Sequence, residues 1–386
     1  MTFPLHLDLR GRRVLVVGAG PVGVRRAAAL LAAGARVSVV ALEAPADLDL
    51  PVEQRAFVPS DVDGCWLVLA CTGTVDADVA GACEARQVWC VRADDAALSA
   101  AWVPAVARVG DVVASVTAGR DPRRAVALRD ALALALETGS LPLRRKRPAR
   151  GSVALVGGGP GAPGLLTVRG RQLLAEADVV IRDRLAPQVD LPAEVEVVET
   201  GKQPHRPSWS QEEISALMVA KAQQGLRVVR LKGGDVHLFA RGIEEVAACV
   251  GAGVAVEVVP GVSSAFAAPA WAGIPVTAKG LTQSVTVVSA HLPPGHPDST
   301  VDWPALARLG GTLILLMAVE RLGACAQALV DGGRAAATPV AVIREGTLAT
   351  QQVVLSTLAD VRVDAAQVTA PAVVVIGEVV SARVAP

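Results

Sequence analysis

Tyrosine is absent from this sequence, and aromatic residues make up only 3% of its 386 residues. Proteins that bind single-stranded nucleic acid stack bases on aromatic side chains, so that class is disfavoured. Net charge is absent too, because 37 lysines and arginines balance 37 aspartates and glutamates. We therefore expect no general attraction to nucleic acids or anionic membranes, and an acidic ligand must be held by a local basic cluster.

Cysteine pairs and long apolar runs are also missing. The six cysteines form no Cys-x-x-Cys pair and have no histidine at zinc-finger spacing, so we expect buried thiols in a reducing compartment. The N-terminus lacks the apolar run of a signal peptide, and stretches such as 373–380 are too short to cross a bilayer. The sequence therefore predicts a cytoplasmic protein with neither a membrane nor a nucleic acid as partner.

The sequence is rich in hydrophobic residues: 52% of its residues are hydrophobic and 19% are charged, as in globular proteins. A chain of this length predicts two or three domains. Strand-like and helix-like segments alternate, which indicates parallel α/β sheets. The first block has predicted strands at 13–18, 36–41, 65–70, 87–92 and 111–116 and a helix at 24–34, and the second, from 151 onwards, has about ten strands.

Between the two blocks lies a predicted helix followed by a basic stretch. Asp121 is a good N-cap, Pro122 suits the first helical position, and Gly139 suits the residue after the helix. The stretch 142–151 then places five basic residues among prolines. A nucleic-acid patch and a solvated linker both fit this composition. We favour the linker because no basic helix and no interleaved aromatic residues accompany it.

A glycine-rich loop, GAGPVG, directly follows the first strand and precedes a helix. In a dinucleotide-binding fold Gly18 permits the tight turn, Gly20 lets the backbone approach a pyrophosphate, and Gly23 lets the helix pack closely. Glu43, at the end of the next strand, would accept hydrogen bonds from the ribose of NAD and repel a 2′-phosphate. The pattern predicts NAD binding; the alternative is a nucleotide fold that has lost its ligand.

Two acidic residues, Asp94 and Asp95, follow the strand at 87–92, at the edge where open α/β sheets bind ligands. A carboxylate there can act as a general base or a metal ligand near the nicotinamide. Acidic residues after strands are also common turn formers and helix caps. Position alone leaves these alternatives open.

A second glycine-rich loop, VGGGPGAPG at 156–164, fits the same pattern through Gly157, Gly159 and Ala162. An acid even stands at the usual downstream offset, since Asp183 follows the next predicted strand. Taken literally, the chain would carry two copies of one nucleotide site.

The prolines of this second loop argue against a second dinucleotide site. A helix that started within the loop would carry Pro163 in its first turns and lose hydrogen bonds, and Pro160 stiffens the backbone before it. Thr167 is the better N-cap for the helix that follows. The sequence therefore predicts a long, rigid loop without a helix N-terminus that could hold a pyrophosphate.

At this point the motifs form a recognisable set. VALVGGGPGAPGLLT, IRDRL, GKQPHRPSWSQEEI, VVRLKGGDVHLFARGIEE, VVPGVSSAFAAPAWAGIPVT and PVAVIREGT occur in the order seen in uroporphyrinogen III C-methyltransferases, which residues 151–386 resemble. The N-terminal VLVVGAGPVGVRRAAALLAAGARVSVVA and CVRADDAALSAAWVP resemble the precorrin-2 dehydrogenase part of siroheme synthases. The whole chain resembles fused, bifunctional siroheme synthases.

This resemblance implies an α/β fold with a Rossmann-type NAD-binding dehydrogenase domain over 1–118, a helix and basic linker over 119–150, and a two-lobed α/β tetrapyrrole methyltransferase over 151–386. The lobes are expected at about 151–262 and 280–386. Relatives carry a long helical dimerisation segment between the two domains, which is shortened here. A homodimer is expected, and iron insertion is the activity that the shortening affects most.

The resemblance also implies the chemistry. S-adenosylmethionine would methylate uroporphyrinogen III to precorrin-2, and NAD would oxidise precorrin-2 to sirohydrochlorin. The resemblance implies that Asp183 is the proton acceptor and Lys202 the proton donor. Without it, Asp183 would be interpreted as a turn residue at the end of a strand and Lys202 as an exposed lysine. Asp94 is implicated in dehydrogenation and in iron insertion, where it is a candidate metal contact. The alternative is a methyltransferase alone, with an N-terminal domain that only binds NAD or serves assembly.

The remaining implied contacts come from the same motifs. Glycines let the backbone approach the methyl donor, and a soft methionine can pack against its adenine. For NAD the positions are Gly18, Gly20, Pro21, Val22, Gly23, Leu42 and Glu43. For S-adenosylmethionine they are Pro160, Gly233, Gly234, Asp235, Leu238, Ser263, Ser264, Met317 and Gly346.

The chain departs from the family pattern beside these motifs. Val236 and His237 replace a proline and an aromatic residue, and we expect a packed His237 rather than a substrate contact. An arginine replaces the tyrosine that commonly precedes the active aspartate. The substrate is a polycarboxylate, so basic side chains should line its cleft. Candidates by position are Arg182, Arg184, Arg206 and Arg241.

Overall fold

The computed structural model divides into two compact units, Met1–Ala133 and Leu134–Pro386. Among the described residues, no helix has the length and apolar character needed to cross a membrane. The structure describes residues 3–45, 52–119, 121–141, 150–201 and 209–384.

Alternating strands and helices form most of the first unit. They are β1 (Arg13–Val17), α1 (Pro21–Ala32), β2 (Arg36–Ala41), β3 (Val52–Gln54), β4 (Leu67–Ala70), α2 (Asp76–Glu84) and β5 (Trp89–Arg92). The strands form one parallel sheet in the order β3-β2-β1-β4-β5, which is the strand order of a Rossmann half. The short β3 was not predicted, and α1 begins three residues before the predicted helix, at a proline suited to its first turn.

Both faces of this sheet are buried, as the continuous apolar strands predict. Val14 and Val16 of β1 pack on one face, where Ala27 of α1 covers them. Leu15 packs on the opposite face with Val79 of α2. The glycine loop between β1 and α1 therefore lies at the central, carboxyl edge of a rigid sheet.

One predicted strand does not join this sheet. We expected 111–116 to extend the parallel sheet, whereas β7 (Val112–Val116) pairs antiparallel with β6 (Ala105–Val109) in a separate two-stranded sheet. The prediction was wrong because only two residues separate these strands, and a connection that short permits antiparallel pairing alone.

The helix α3 (Pro122–Glu137) follows this hairpin and has the predicted ends. The Asp121 carboxylate accepts from two backbone N–H groups of the first turn, each at 3.0 Å. After the last turn Gly139 adopts φ +69°, the left-handed conformation that suits glycine. The basic stretch that follows lies outside the described residues over 142–149.

The first lobe of the second unit is a parallel α/β layer. Its elements are β8 (Ser152–Gly157), α4 (Val168–Glu176), β9 (Val179–Arg182), β10 (Glu196–Glu199), α5 (Gln211–Gln223), β11 (Arg227–Lys232), α6 (Gly242–Gly251) and β12 (Ala255–Val259). The strand order is β10-β9-β11-β8-β12, and every pair is parallel. The loops after β8, β9, β11 and β12 therefore meet at one edge of the sheet.

The second lobe is a mixed sheet. Its elements are α7 (Ser264–Trp271), β13 (Val285–Ser289), α8 (Trp303–Arg308), β14 (Thr312–Leu316), α9 (Leu322–Asp331), β15 (Pro339–Arg344), β16 (Gln352–Thr357), α10 (Val361–Asp364) and β17 (Ala372–Ile376). The order is β13-β14-β17-β15-β16, with only β13 and β14 parallel. The two-lobed α/β prediction is confirmed, and the predicted strands of the second block are all present.

Candidate active sites

The first glycine loop has the geometry that its sequence predicts. Gly18 adopts φ +103°, and a Cβ there would lie 2.6 Å from the carbonyl oxygen of Cys71. A Cβ on Gly23 would lie 2.0 Å from the carbonyl oxygen of Gly18, so only glycine lets α1 pack this closely. The Cβ position of Gly20 has no atom within 4 Å, and α1 starts at the next residue. The loop therefore leaves open space directly before a helix N-terminus.

A buried carboxylate holds the neighbouring loop after β4. Asp76, only 1% exposed, accepts from the backbone N–H of Thr72 at 2.8 Å, from its hydroxyl at 2.5 Å, and from the backbone N–H of Gly73 at 3.2 Å. This fixes the segment whose carbonyl lies against Gly18. Sequence reasoning missed Asp76, although an acid in the first turn of a helix after a Thr-Gly turn is a capping signal.

One arginine beside these loops has buried donor atoms without an acceptor. Arg26 of α1 has buried Nε and Nη1 atoms that make no hydrogen bond. Burial raises the pKa of the Cys71 thiol to about 11, and the nearby Arg26 charge opposes that rise. A buried cationic donor without an acceptor is costly, so this guanidinium fits an anionic ligand group.

The other residues implied for NAD lie exposed around the same edge. Pro21 and Val22 open α1, and Leu42 and Glu43 follow β2. The backbone N–H of Gly18 donates to a β2 carbonyl at 2.8 Å, which ties the glycine loop to that strand end. The structure thus brings the predicted cofactor positions of the first unit together.

Asp94 forms a two-pronged ion pair with Arg92. Nε and Nη2 of Arg92 lie 2.9 and 2.5 Å from its two carboxylate oxygens. The hydrogen bond from this guanidinium lowers the pKa of Asp94 below its ordinary value. Asp95 instead caps a short helical turn by accepting from the backbone N–H of Ala97 at 2.7 Å. The two aspartates therefore divide into one partly exposed carboxylate and one cap.

The second glycine loop differs from the first, as its prolines predict. Pro163–Leu165 forms a single 3-10 turn, and α4 begins only at Val168. The hydroxyl of Thr167 accepts from the backbone N–H of Gly170 at 3.1 Å, which makes it the N-cap. The helix that follows this loop therefore begins after the glycines rather than directly at them.

Glycines from three segments meet at the carboxyl edge of the first lobe. Gly159 and Gly234 exchange two backbone hydrogen bonds, at 3.2 and 2.7 Å. A Cβ on Gly261 would lie 2.1 Å from the carbonyl oxygen of Gly234, and one on Gly157 would lie 2.4 Å from the nitrogen of Gly261. We call these four residues the glycine junction; side chains are excluded there because backbone packs directly against backbone, with Gly157 and Gly159 buried and Gly234 and Gly261 partly exposed.

Asp235 ties this junction together through its side chain. One carboxylate oxygen accepts from the backbone N–H groups of His237 and Leu238, at 2.8 and 3.2 Å, and the other from that of Gly261, at 3.1 Å. Burial would raise the pKa of Asp235, but these donors outweigh it and lower that pKa. The carboxylate thus fixes the shape of the loop after β11.

The expectation of a packed His237 is wrong. This side chain is exposed, while its neighbour Val236 is fully buried in the core of the first lobe. The next residue, Leu238, packs against the core of the second lobe beside α7. Because valine fills the inner position between these contacts, the histidine is left pointing outward.

The donor positions of the second lobe lie at its edge. Ser263 caps α7 by accepting from a backbone N–H of the first turn at 3.2 Å, and Ser264 is the first residue of that helix. Met317 follows β14 and is 45% exposed. A Cβ on Gly346 would lie 2.4 Å from the Cβ of Ala268, so glycine is required for this contact.

Left-handed backbone marks the place where the lobes meet. Met317, Glu345 and Thr347 adopt φ values of +57°, +49° and +76°. The hydroxyl of Thr347 accepts from the backbone N–H of Ala162 at 3.2 Å, which joins the second glycine loop to the second lobe. Strained non-glycine residues of this kind concentrate at binding sites.

Asp183 lies directly after β9 and is partnered from a neighbouring strand. Arg230 of β11 donates through Nη2 to Asp183 Oδ1, and the hydroxyl of Thr200 lies 3.5 Å from the same oxygen. The Asp183 side chain is 33% exposed. Lys202 and Arg206, also singled out in the sequence, lie outside the described residues.

The candidate substrate arginines differ in their partners. Arg182 pairs with Glu199, and Arg241 pairs with Glu244 at 2.5 Å. Arg184 is exposed and makes no ion pair within the described ranges. Of the three described arginines, Arg184 is therefore the one whose charge is not paired with a carboxylate of the described residues.

Sequence reasoning missed the charged residues behind Asp183. Arg230, Lys232 and Glu245 are each at most 2% exposed. The signal was present, because Arg230 and Lys232, two of the three basic residues of β11, stand at alternate positions and therefore share one face of the sheet. The alternation of residues along β11 cannot identify their partner Glu245, because it lies on α6, in a separate segment of the chain.

Comparisons with known proteins agree with both halves. The family model "Putative NAD(P)-binding" matches residues 5–105, and "Tetrapyrrole (Corrin/Porphyrin) Methylases" matches 152–362. Siroheme synthase 1 of Yersinia enterocolitica is 38% identical over 445 aligned residues, which cover 98% of this chain and 93% of the relative. That alignment is longer than this chain of 386 residues, so the relative contains segments that the chain lacks.

Other relatives match the C-terminal part. An S-adenosyl-L-methionine-dependent uroporphyrinogen III methyltransferase of Methanosarcina barkeri is 44% identical over 60% of this chain and 92% of its own length. The uroporphyrin-III C-methyltransferase of Thermus thermophilus, solved with S-adenosylhomocysteine, has a TM-score of 0.51 and 38% identity over 60% of this chain and all of its own. Cobalt precorrin-4 methyltransferase, a cobalamin biosynthetic enzyme, has a TM-score of 0.55 and 26% identity over 61% of this chain and 98% of its own.

A relative that aligns along nearly the whole chain, together with two family matches on the two α/β units, shows the family directly. The chain belongs to the siroheme synthase family.

Proposed function

We propose that this enzyme methylates uroporphyrinogen III to precorrin-2 with S-adenosylmethionine and then oxidises precorrin-2 to sirohydrochlorin with NAD. The observation that carries the proposal is the difference between the two glycine loops. One opens onto a helix N-terminus, as a pyrophosphate requires, and the other forms the glycine junction of a two-lobed unit.

The first unit fits NAD by its empty space and its unpartnered charge. Gly20 leaves room for a pyrophosphate, and Arg26 offers buried donors to an anion. Glu43 is placed to accept from ribose hydroxyls, and the exposed Val22 and Leu42 offer apolar contact. Bound NAD would supply a hydride acceptor, and these residues would bind and orient it.

The second unit fits S-adenosylmethionine by the partly exposed edge of the glycine junction. Gly234 and Gly261 of the junction, together with Gly233, are partly exposed and place no side chain between their backbone and a ligand. We assign the other donor contacts to Pro160, Leu238, Ser263, Ser264 and Gly346, which come from both lobes, and Met317 is exposed enough to pack on the adenine. The bound donor supplies an electrophilic methyl group.

In our assignment Asp183 moves the proton of the methylation step. A carbon–carbon bond forms at the tetrapyrrole as the sulfur–methyl bond breaks, and sulfur keeps the electron pair. The acceptor carbon's proton goes to Asp183, whose Oδ2 receives no hydrogen bond from the described residues. Lys202 is the assigned proton donor, and Arg184 is the candidate partner for substrate carboxylates.

Asp94 is the group that we assign to dehydrogenation. Its carboxylate is partly exposed at the carboxyl end of β5 and can take the proton released as the hydride leaves the substrate. We assign iron insertion, in which ferrous iron is a substrate, to the same carboxylate. Arg92 would have to release Asp94 before the metal could contact it.

The second candidate function is a methyltransferase whose N-terminal unit has no catalytic role. The observation in its favour is that the chain lacks segments of its full-length relative. Incubating the full chain with uroporphyrinogen III and S-adenosylmethionine, with and without NAD, separates the two. We expect NADH to appear with NAD present. Accumulation of precorrin-2 without NADH would favour a methyltransferase with a non-catalytic N-terminal unit. Absence of any methylated product would refute both candidate functions.

We also propose the domain boundaries, the cellular location and the oligomeric state of the protein. The dehydrogenase is placed at 1–118, the linker at 119–150 and the methyltransferase at 151–386, in keeping with the family matches at 5–105 and 152–362. Free thiols at all six cysteines suit the cytoplasm. The exposed apolar side chains of α3 suit a homodimer, which sedimentation analysis would measure.

A further inference from the structure

A buried group of charges lies behind Asp183 that the assigned mechanism does not use. Arg230 and Lys232 of β11 are 2% exposed, and Glu245 of α6 is fully buried. With Asp183 they form a set of two cations and two anions. We call Arg230, Lys232 and Glu245 the charge clamp.

Glu245 is the centre of this clamp. Its Oε1 accepts from Arg230 Nε at 3.0 Å and from Gln211 Nε2 at 3.1 Å. Its Oε2 accepts from Lys232 Nζ at 2.9 Å. Both carboxylate oxygens are therefore occupied, and the carboxylate has a single orientation.

The clamp leaves the Arg230 guanidinium no freedom to turn. Nε is held by Glu245, and Nη1 donates to the carbonyl oxygen of Ile181 at 3.3 Å and to the Thr200 hydroxyl at 3.4 Å. Nη2 then donates to Asp183 Oδ1. This bond occupies Oδ1, whereas Oδ2 receives no hydrogen bond from the described residues and is the oxygen that we assign to the proton.

Stability does not explain why these charges are buried. Taking several charges out of water is costly, and well-packed apolar residues of similar volume are often as stable or more so. The neighbouring residues of β11, Val228, Val229 and Leu231, are apolar and buried, so the strand needs no ions to pack. A costly cluster in contact with a candidate catalytic carboxylate indicates a functional role.

We propose that Glu245 is a positioning residue for methyl transfer, an inference that rests on the role proposed for Asp183. Glu245 fixes Arg230, and Arg230 fixes the carboxylate of Asp183 in the rotamer that accepts the proton. Lys232 balances the charge of Glu245, so that the clamp and Asp183 together carry no net charge. Glu245 touches neither substrate nor cofactor in this account.

A matched pair of double variants of the full-length chain tests this. Glu245→Gln/Lys232→Met removes both charges but keeps an amide oxygen that can accept from Arg230 Nε. Glu245→Leu/Lys232→Met removes the same charges and also the acceptor. We expect kcat for methyl transfer within about threefold of the parent in the first and at least about tenfold lower in the second, with KM for S-adenosylmethionine nearly unchanged in both.

Folding is checked by calorimetric binding of S-adenosylhomocysteine, which both variants should retain. Equal kcat values in the two folded variants would overturn the proposal, and so would loss of S-adenosylhomocysteine binding in parallel with kcat. The variant Asp183→Asn distinguishes failure of the role proposed for Asp183 from failure of the role proposed for Glu245. If it keeps full activity, the role proposed for Asp183 fails; if it is inactive while the two double variants are equally active, only the role of Glu245 fails.

Discussion

Gly159 and Gly234 exchange two backbone hydrogen bonds across the carboxyl edge of the first methyltransferase lobe. Their contact joins the loop after β8 to the loop after β11, and Gly261 closes the junction from the loop after β12. Three segments that are distant in sequence thus meet with backbone packed against backbone, and the Asp235 carboxylate adds a side-chain hydrogen bond to Gly261. That geometry makes the site sensitive to single methyl groups, which can be tested directly.

Gly261→Ala should disrupt donor binding. Its Cβ would lie 2.1 Å from the carbonyl oxygen of Gly234 and 2.6 Å from the Cα of Gly157, backbone atoms that cannot move without opening the junction. We expect at least about tenfold weaker binding of S-adenosylhomocysteine, or about 1.4 kcal/mol, measured by titration calorimetry. Gly164→Ala is the matched control, because its Cβ meets no atom within 4 Å. Equal affinities in the two variants would contradict the role of the junction.

Gly20→Val should remove NAD binding without harming the fold. The Cβ position is open and the backbone is extended at φ −69°, so the first unit tolerates a side chain there. That side chain would occupy the space assigned to the pyrophosphate, and we expect at least about tenfold weaker NAD binding with an unchanged melting temperature. Gly81→Ala, equally open but on α2, should bind NAD normally. Normal NAD affinity in Gly20→Val would disprove the assigned cofactor position.

Arg26→Met should separate stability from cofactor binding. The apo protein carries buried donors on Arg26 that have no acceptor, so their removal should leave the melting temperature equal or higher. NAD should bind at least about tenfold more weakly if its phosphates are the missing acceptor. The exposed neighbour provides a control in Arg25→Met, which should change neither property. A lower melting temperature with unchanged NAD affinity would show that Arg26 is purely structural.

Asp94→Asn should stop the second reaction alone. Loss of the carboxylate removes the proposed proton acceptor of dehydrogenation, and general-base catalysis typically contributes at least about a hundredfold. NADH formation, followed by its absorbance, should fall by that order, while the rate of precorrin-2 formation stays unchanged. Loss of both activities would show that the two halves do not work independently.

Arg92→Gln should change the pH dependence of dehydrogenation in a stated direction. In the parent the hydrogen bond from Arg92 lowers the pKa of Asp94, so the carboxylate stays ionised to a lower pH than usual. Removing the guanidinium should raise that pKa, and the acid limb of NADH formation should move to higher pH. Arg92→Lys keeps the charge and should restore much of the parent profile. An acid limb that does not move in Arg92→Gln would exclude Asp94 as the titrating group.

Local patterns predicted the strands and the helix ends well. Apolar runs identified every strand of the second unit, and capping residues such as Asp121 and Thr167 identified helix starts, because both signals act over a few residues. The strand at 111–116 was misplaced, since the pattern gives a strand but not its partner. His237 was misplaced for a similar reason, because its exposure depends on the two cores that its neighbours enter.

The sequence by itself determined that the two glycine loops differ, since proline acts on its own turn and delays the helix to Val168. It also determined the family, through motifs that lie in order along the chain. Only the tertiary structure decided which groups meet: Arg92 on Asp94, Arg230 on Asp183, and Glu245 on both Arg230 and Lys232. The last three contacts join separate strands or a strand and a helix, and no periodicity within one segment specifies a partner in another.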